Sequence, residues 1–244
     1  GTETGGRVQS LYIQYDGLAP FAFRVGAYPP AGGLEDNTSS ADTIFLERAA
    51  PSDIVRNAVG GDGRDSASIL YVTDTLYGSL SYTGGKVGDA AVFDEQQSVL
   101  ARLAASIYSD SDSRFVLSGT VADMFRGADS AAGPNSARAL TLSVAPELTV
   151  DSQGTKFIST GALDVNSAKF WGVEAAAEWR SLYGQAGYFD YDVDQRVAAP
   201  AASKPDVNFH GWYAQATWVL TGESRTYSTA NAAFTAPKPS IPFS

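Results

Sequence analysis

A chain of 244 residues that is 44% hydrophobic and 18% charged can build one large domain or two small ones and is too apolar to stay disordered. Its 17 Lys and Arg against 27 Asp and Glu, a formal charge of -10, argue against a basic nucleic-acid surface and so against a nucleic-acid partner. The absence of Cys excludes disulfides, thiolate metal sites and thiol nucleophiles; no apolar run reaches the roughly 18 residues of a membrane helix, and the opening GTETGG lacks the regions of a signal peptide.

Twenty-four Gly, twelve Tyr and twelve Phe with a single Met favour pleated, closely packed strands, so an all-β protein is expected. Period-2 alternation then locates the elements, because it puts one set of side chains on each face of a strand. The first predicted strand covers residues 8–15. In PFAFRVGAY, Phe21, Phe23, Val25 and Ala27 share one face, and Arg24, Gly26 and Tyr28 share the other. A polar stretch follows over residues 31–65, and a loop beyond about 15 residues is usually functional. Within it, Ile44, Phe45 and Leu46 are apolar enough to pack against a wall. VGGDGRD has no GxxxxGK[ST] spacing and reads as a flexible loop.

Strands are next predicted over 67–73 and 76–82, the latter with Leu76, Gly78, Leu80 and Tyr82 opposite Tyr77, Ser79 and Ser81. SVLARLAASIY carries Val99, Ala101, Leu103, Ala105 and Ile107 on one face, opposite Arg102, Ala104 and Ser106. Segments 115–124 and 138–148 continue the pattern. FWGVEAAAEWR sets Val173, Ala175, Ala177 and Trp179 against Glu174, Ala176 and Glu178. After 182–191, FHGWYAQATWVL sets Trp212, Ala214, Ala216, Trp218 and Leu220 against Gly211, Tyr213, Gln215 and Thr217. This makes about ten strands of roughly 8 to 13 residues.

A tilted strand crosses a bilayer in about 9 to 11 residues, and these lengths suit it. Tyr15, Phe21, Tyr82, Tyr108, Phe170, Trp171, Trp179 and Tyr191 lie near strand ends, where interfacial aromatic girdles sit. Alternation alone leaves two environments open, since the same aromatics would fill a soluble β-sandwich. Connections at 74–76 and 180–182 are short, whereas 31–65 and 149–168 are long; short turns at one rim and long loops at the other are the habit of a membrane barrel. Charges recur on the face opposite the apolar one: Arg24, Arg102, Glu174 and Glu178. A water-filled lumen accommodates such residues, and they are the predicted pore lining; a soluble core would require them to be paired.

Catalytic constellations are lacking. His210 is the only histidine and no GxSxG elbow accompanies it. The Asp runs SDSDS and DYDVDQ lack EF-hand spacing and read as solvated tips. Glu174 and Glu178 are about 13 Å apart along one strand, too far for a glycosidase pair on that strand. No enzyme activity, catalytic residue, metal site or cofactor is expected.

Two segments go beyond pattern. FRVGAYPPAGGLEDNTSSADTIFLERA and GWYAQATWVLTGESRTYSTANAAFTAPKP resemble the phosphate-selective porins O and P, trimeric outer-membrane channels with sixteen-stranded barrels. The first carries Gly33-Leu34-Glu35, Thr38-Ser39-Ser40 and Glu47-Arg48; the second carries Tyr213, Gln215, Leu220, Thr221, Gly222, Glu223, Arg225, Tyr227 and Lys238-Pro239. FWGVEAAAEWRSLYGQAGYFDYDV resembles the hairpin upstream of LTGE in that family. The resemblance implies a transmembrane antiparallel β-barrel forming a single porin domain over residues 1–244. A loop at about 29–66 would fold into the lumen. Since family members are longer, about ten of an expected sixteen strands lie here and the barrel is expected to be partial.

By the same resemblance, Arg48 takes the place of a constriction arginine, Ser39 and Ser40 fall where the loop approaches an anion, and Arg24 falls on a basic strand position. Asp36 stands where family members carry a Lys after GLE, and Ala41 where a Lys follows TSS. The expected constriction is therefore Arg48, Asp36, Ser39 and Ser40, with two fewer cations and one more anion than the family pattern, which weakens the selectivity for phosphate or other anions that the resemblance implies and leaves open a pore that favours cations or neutral solutes. The implied function is passive diffusion of small hydrophilic solutes or ions across the outer membrane of a Gram-negative bacterium. The implied partners are outer-membrane lipid, the permeating ions and two further copies in a homotrimer. The alternative from the residues alone is a soluble all-β module that binds ligands through its long loops.

Overall fold

The structure, a computed structural model, describes residues 8–89, 92–129, 131–132, 136–144, 156, 158–196 and 206–240. Nine strands follow one another in a single antiparallel sheet: β1 (Leu11–Leu18), β2 (Phe21–Ala27), β3 (Arg64–Val72), β4 (Leu76–Lys86), β5 (Gln97–Ser109), β6 (Ser113–Arg126), β10 (Leu163–Trp179), β11 (Leu182–Gln195) and β12 (Val207–Trp218). Among the described residues between β6 and β10 are three two-residue strands, β7 (Ala139–Leu140), β8 (Ser143–Val144) and β9 (Ile158–Ser159). Of these β7 pairs with β10, and β8 with β9. Among the described residues no pairing joins β1 to β12, so the sheet has two free edges.

Neighbouring long strands are joined at one rim by short turns, after β1, β3, β5 and β10. The connections at the opposite rim are long, the first running over residues 28–63. Alternation sorts the two faces. On β6, Phe115, Leu117, Val121 and Phe125 are exposed on the outer face, while Val116, Ser118, Thr120, Ala122 and Met124 are buried on the inner one. The same division runs through β10, where Trp171, Val173 and Trp179 point out. From Trp171 to Trp179 this outer band spans about 26 Å along the strand. Charge bounds the band: across the sheet, outward Asp123, Lys169 and Asp192 lie side by side in register.

The inner face is packed by two segments that turn inward. Connection 28–63 contains α1 (Leu34–Asn37) and α2 (Ala50–Val59). In α2, Pro51 and Asp53 occupy the first turn, and Ile54, Val55, Ala58 and Val59 recur at helical spacing. That stripe meets Leu100, Met124, Phe170, Phe189, Tyr191 and Tyr213 on the wall. The second insert follows β12: β13 (Thr226–Ser228) and β14 (Ala233–Thr235) form a hairpin. Its Tyr227, Ala232 and Phe234 pack with Leu34, Tyr77, Ala104, Val116 and Tyr183.

Several expectations are corrected. The segment 138–148 is not one strand: within it are only the pairs of β7 and β8, and residues 145–148 lie outside the described ones. β10 begins at Leu163, inside the predicted 149–168 loop, of which residues 149–155 and 157 lie outside the described ones. Phe170 and Tyr191 are not girdle residues. They point inward beside one another, ring centroids 5.9 Å apart, and the Tyr191 hydroxyl donates to the Pro51 carbonyl at 2.5 Å. Phe45 and Leu46 are exposed, and of the TIFLERA run it is Ile44 that packs inward. The Gly-rich VGGDGRD is preceded by a helix, not by open loop.

Candidate functional site

Where the inward connection leaves part of the lumen face open, a cavity of about 360 Å³ remains against β2 and β3. Arg24, Tyr28 and Ser68 form its wall side, while Asp36, Ser39, Ser40, Arg48 and Arg56 come from the loop. All four residues expected at the constriction therefore meet in one place, together with one of the four expected along the lining.

Each polar side chain is held by a local device. Arg24 donates from Nε to Gln14 Oε1 at 2.6 Å, and its guanidinium lies 4.5 Å from the Tyr12 ring centroid and 5.2 Å from that of Tyr28. Tyr28 and Ser68 share a hydrogen bond at 2.5 Å, and Ser68 shares another with Ser81 at 2.7 Å, giving the wall a row of hydroxyls. Arg48 donates from Nη2 to the Thr38 carbonyl at 2.6 Å, while its buried Nε has no partner. Ser39 and Ser40 are exposed at the mouth, with Ser39 Oγ accepting from the Ala41 N–H at 3.3 Å.

Asp36 is not a free anion. Its Oδ1 lies 2.5 Å from Arg56 Nη1 and its Oδ2 accepts the Gly32 N–H at 3.2 Å. Arg56 Nη2 also reaches Asp62 at 2.8 Å. Burial lowers the Arg56 pKa, but the Asp36 carboxylate beside it more than offsets that and the net shift is upward. On α2, burial raises the Asp53 carboxyl, against the pull of Arg56. Arg64, where β3 begins, clamps the end of the connection by donating to the carbonyls of Gly60 at 2.6 Å and Gly84 at 2.7 Å.

Two carboxylates tie the GLE turn to the far wall. Glu174 accepts the Leu34 N–H at 2.6 Å and the Tyr213 hydroxyl at 2.7 Å. Glu35 accepts amide N–H groups from Gln185 and, at 2.9 Å, from Gln215. Burial raises the Glu35 pKa, with the two Gln donors and Arg48 opposing and Glu174 adding to it. Of the other expected lining residues, Arg102 and Glu174 face inward but are each only 3% exposed, covered by the inserted segments. Glu178 faces inward near the short-turn rim, opposite Arg114 in register. His210 stands on the outer face, stacked on Tyr188 with ring centroids 5.7 Å apart.

Two participants escaped the sequence reading. Arg56 is carried by α2, for which the four-residue spacing of Val55 and Val59 is the sequence signal. The hairpin after β12 joins the loop through Asn37 Nδ2, which donates to the Asn231 carbonyl at 2.9 Å, and through Asp42 Oδ1, which accepts the Ala236 N–H at 2.7 Å. Arg225 also donates to the Asp42 carbonyl.

The family model described as phosphate-selective porin O and P matches residues 1–241. The chain belongs to the phosphate-selective porin O and P family. Porin O of Pseudomonas aeruginosa is 25% identical over 258 residues, an alignment covering 98% of this chain and 55% of that protein. The chain thus spans about half the length of the curated relative it matches. A large antiparallel sheet with an apolar outer band, and with Arg24, Arg102, Glu174 and Glu178 on its inner face, agrees with the strand pattern of such a porin.

Proposed function

We propose that the chain forms wall and constriction of an outer-membrane channel through which small hydrophilic solutes and ions diffuse passively, in the outer membrane of a Gram-negative bacterium and as a homotrimer. No catalysis is required: a polar lumen reduces the cost of dehydration, and charge at the narrowest point biases the sign of what passes. The observation that carries the reading is the meeting of Arg24, Arg48, Ser39 and Ser40 around one cavity inside a wall whose outer face is apolar. Phosphate and other small anions are the substrate class that the family description supports.

Selectivity is weak and anionic. Three arginines and two aspartates line the cavity, leaving a net charge of one positive. Arg56 is committed to both aspartates, so Arg24 and Arg48 are the cations that face a passing solute. Reconstitution of the intact protein in a planar bilayer should give stepwise conductance, and a KCl gradient should give a reversal potential modestly displaced towards anions. Arg48→Gln should move it towards cations. Absence of steps at every salt concentration overturns the channel, and an unchanged reversal potential removes Arg48 from the constriction.

A further inference from the structure

Beneath the β13–β14 hairpin lies a second polar cluster, separate from the cavity. Arg102 is 3% exposed and donates from Nη2 to the Ala232 carbonyl of the hairpin at 2.8 Å; its Nε and Nη1 are closed to solvent and have no partner among the described residues. Strand register sets Ser79 and Thr120 directly on either side of Arg102 on the inner face. One step along, Ala104 separates Tyr77 from Ser118, and the guanidinium leans that way, 5.8 Å from the Tyr77 ring centroid. The hydroxyls of Ser79, Ser118 and Thr120 are likewise buried without partners, and so is that of Tyr227 on the hairpin. The nearest carboxylate in register is Glu174, opposite Ser118, and its oxygens already accept from Leu34 and Tyr213.

A lone buried cation with unmade hydrogen bonds is costly, and so is each buried hydroxyl without a partner. Every orphaned group here is able to donate: two guanidinium nitrogens and four hydroxyls. A bridging water would satisfy some of them and leave the charge standing. An anion is an acceptor for such donors and neutralises Arg102 as well.

We propose that this cluster holds an occluded monatomic anion of the halide class, bound by Arg102 with Ser79, Ser118, Thr120 and Tyr227. The ion is structural and not permeating: it fastens the hairpin to the wall of β4, β5 and β6. The site stands whether or not the chain conducts.

The test uses the intact protein purified from membranes in detergent, with bromide as the probe. Crystals grown in bromide should show an anomalous peak between Arg102 and the Ser118 and Thr120 hydroxyls. Moving the protein from gluconate to bromide or chloride should raise its thermal midpoint by roughly 3 to 6 °C for an ion at about ten times its dissociation constant, and the rise should saturate. Arg102→Gln should abolish the dependence, whereas Arg48→Gln, at the cavity, should retain it. If Arg102→Gln does not fold, Thr120→Val supplies the same reading through a several-fold higher bromide requirement. No anomalous peak at the cluster means water only and overturns the proposal, as does an undiminished halide response in the Arg102 or Thr120 variant.

Discussion

Asp36 and Arg56, twenty residues apart, meet over the inner face of the sheet with 2.5 Å between Oδ1 and Nη1, and the Asp36 side chain is 2% exposed. The resemblance, which implies a Lys at the position of Asp36, makes this position read as loss of a cation and gain of an anion. The pairing changes that reading. Arg56 brings the cation from α2, one element further on, and Asp36 acts as its tethered counter-ion.

Asp36→Asn should therefore leave Arg56 held by Asp62 alone and make the cavity more positive by one charge. The reversal potential under a KCl gradient should shift towards anions relative to the parent. Removing one partner of a buried pair should also cost roughly 3 kcal/mol of stability, measured by denaturant unfolding of the folded barrel. A stability loss without any change in reversal potential would place the pair outside the ion path.

Glu35 supplies a pH dependence whose sign can be worked out. Burial raises its folded pKa above the ordinary 4.5, so the folded state keeps the proton after the unfolded chain has lost it. Its contribution to stability is complete below about pH 4.5 and declines as pH rises through the raised value. The parent should thus lose stability relative to Glu35→Gln over that window and run parallel to it on either side. Unfolding free energies of the two proteins between pH 4 and 8 check this, and a constant difference would mean that Glu35 is not buried as a carboxyl.

Glu174 anchors the same turn from the wall. Glu174→Ala would leave the Leu34 N–H and the Tyr213 hydroxyl buried without an acceptor, at roughly 2 to 4 kcal/mol. Because the GLE turn positions Asp36 and the Ser39–Ser40 mouth, its release should also raise open-channel current noise. Single-channel recording and thermal unfolding on the same preparation give both readouts.

How much of this was legible in the sequence depends on the period involved. Period 2 is unambiguous over a long strand, so Arg24, Arg102 and Glu174 could be assigned to the face opposite the apolar one before any coordinates. The same alternation sets Trp171 with Val173 and Trp179 and sets Phe170 with Glu174, so the two aromatics cannot both face lipid, and the packing of Phe170 against α2 and Tyr191 agrees with that division. α2 is faint in the sequence for a different reason: its ten residues give fewer than three turns, so the spacing of Val55 and Val59 repeats too few times to stand out before the glycine-rich 60–63. Arg56 went unnoticed with it. The Arg102 cluster is a product of register between β4, β5 and β6, which no single segment encodes.

Leu117 offers the sharpest separation of a membrane wall from a soluble sheet. It lies on the outer face, 47% exposed, opposite Ala175 in register, and Ala175 is midway between Trp171 and Trp179. On a soluble protein, Leu→Arg at such an exposed position changes stability by only about 0.5 kcal/mol. In a bilayer the same substitution puts a charge near the midplane, at a cost of roughly 2 to 4 kcal/mol that falls towards the interfaces. Leu117→Arg should accordingly be strongly destabilised in lipid, while Trp179→Arg, at the rim, loses aromatic contact but avoids most of the charge penalty. Folding titrations of both variants in lipid vesicles check the ordering. Equal and small effects at the two depths would mean that this apolar band does not face lipid.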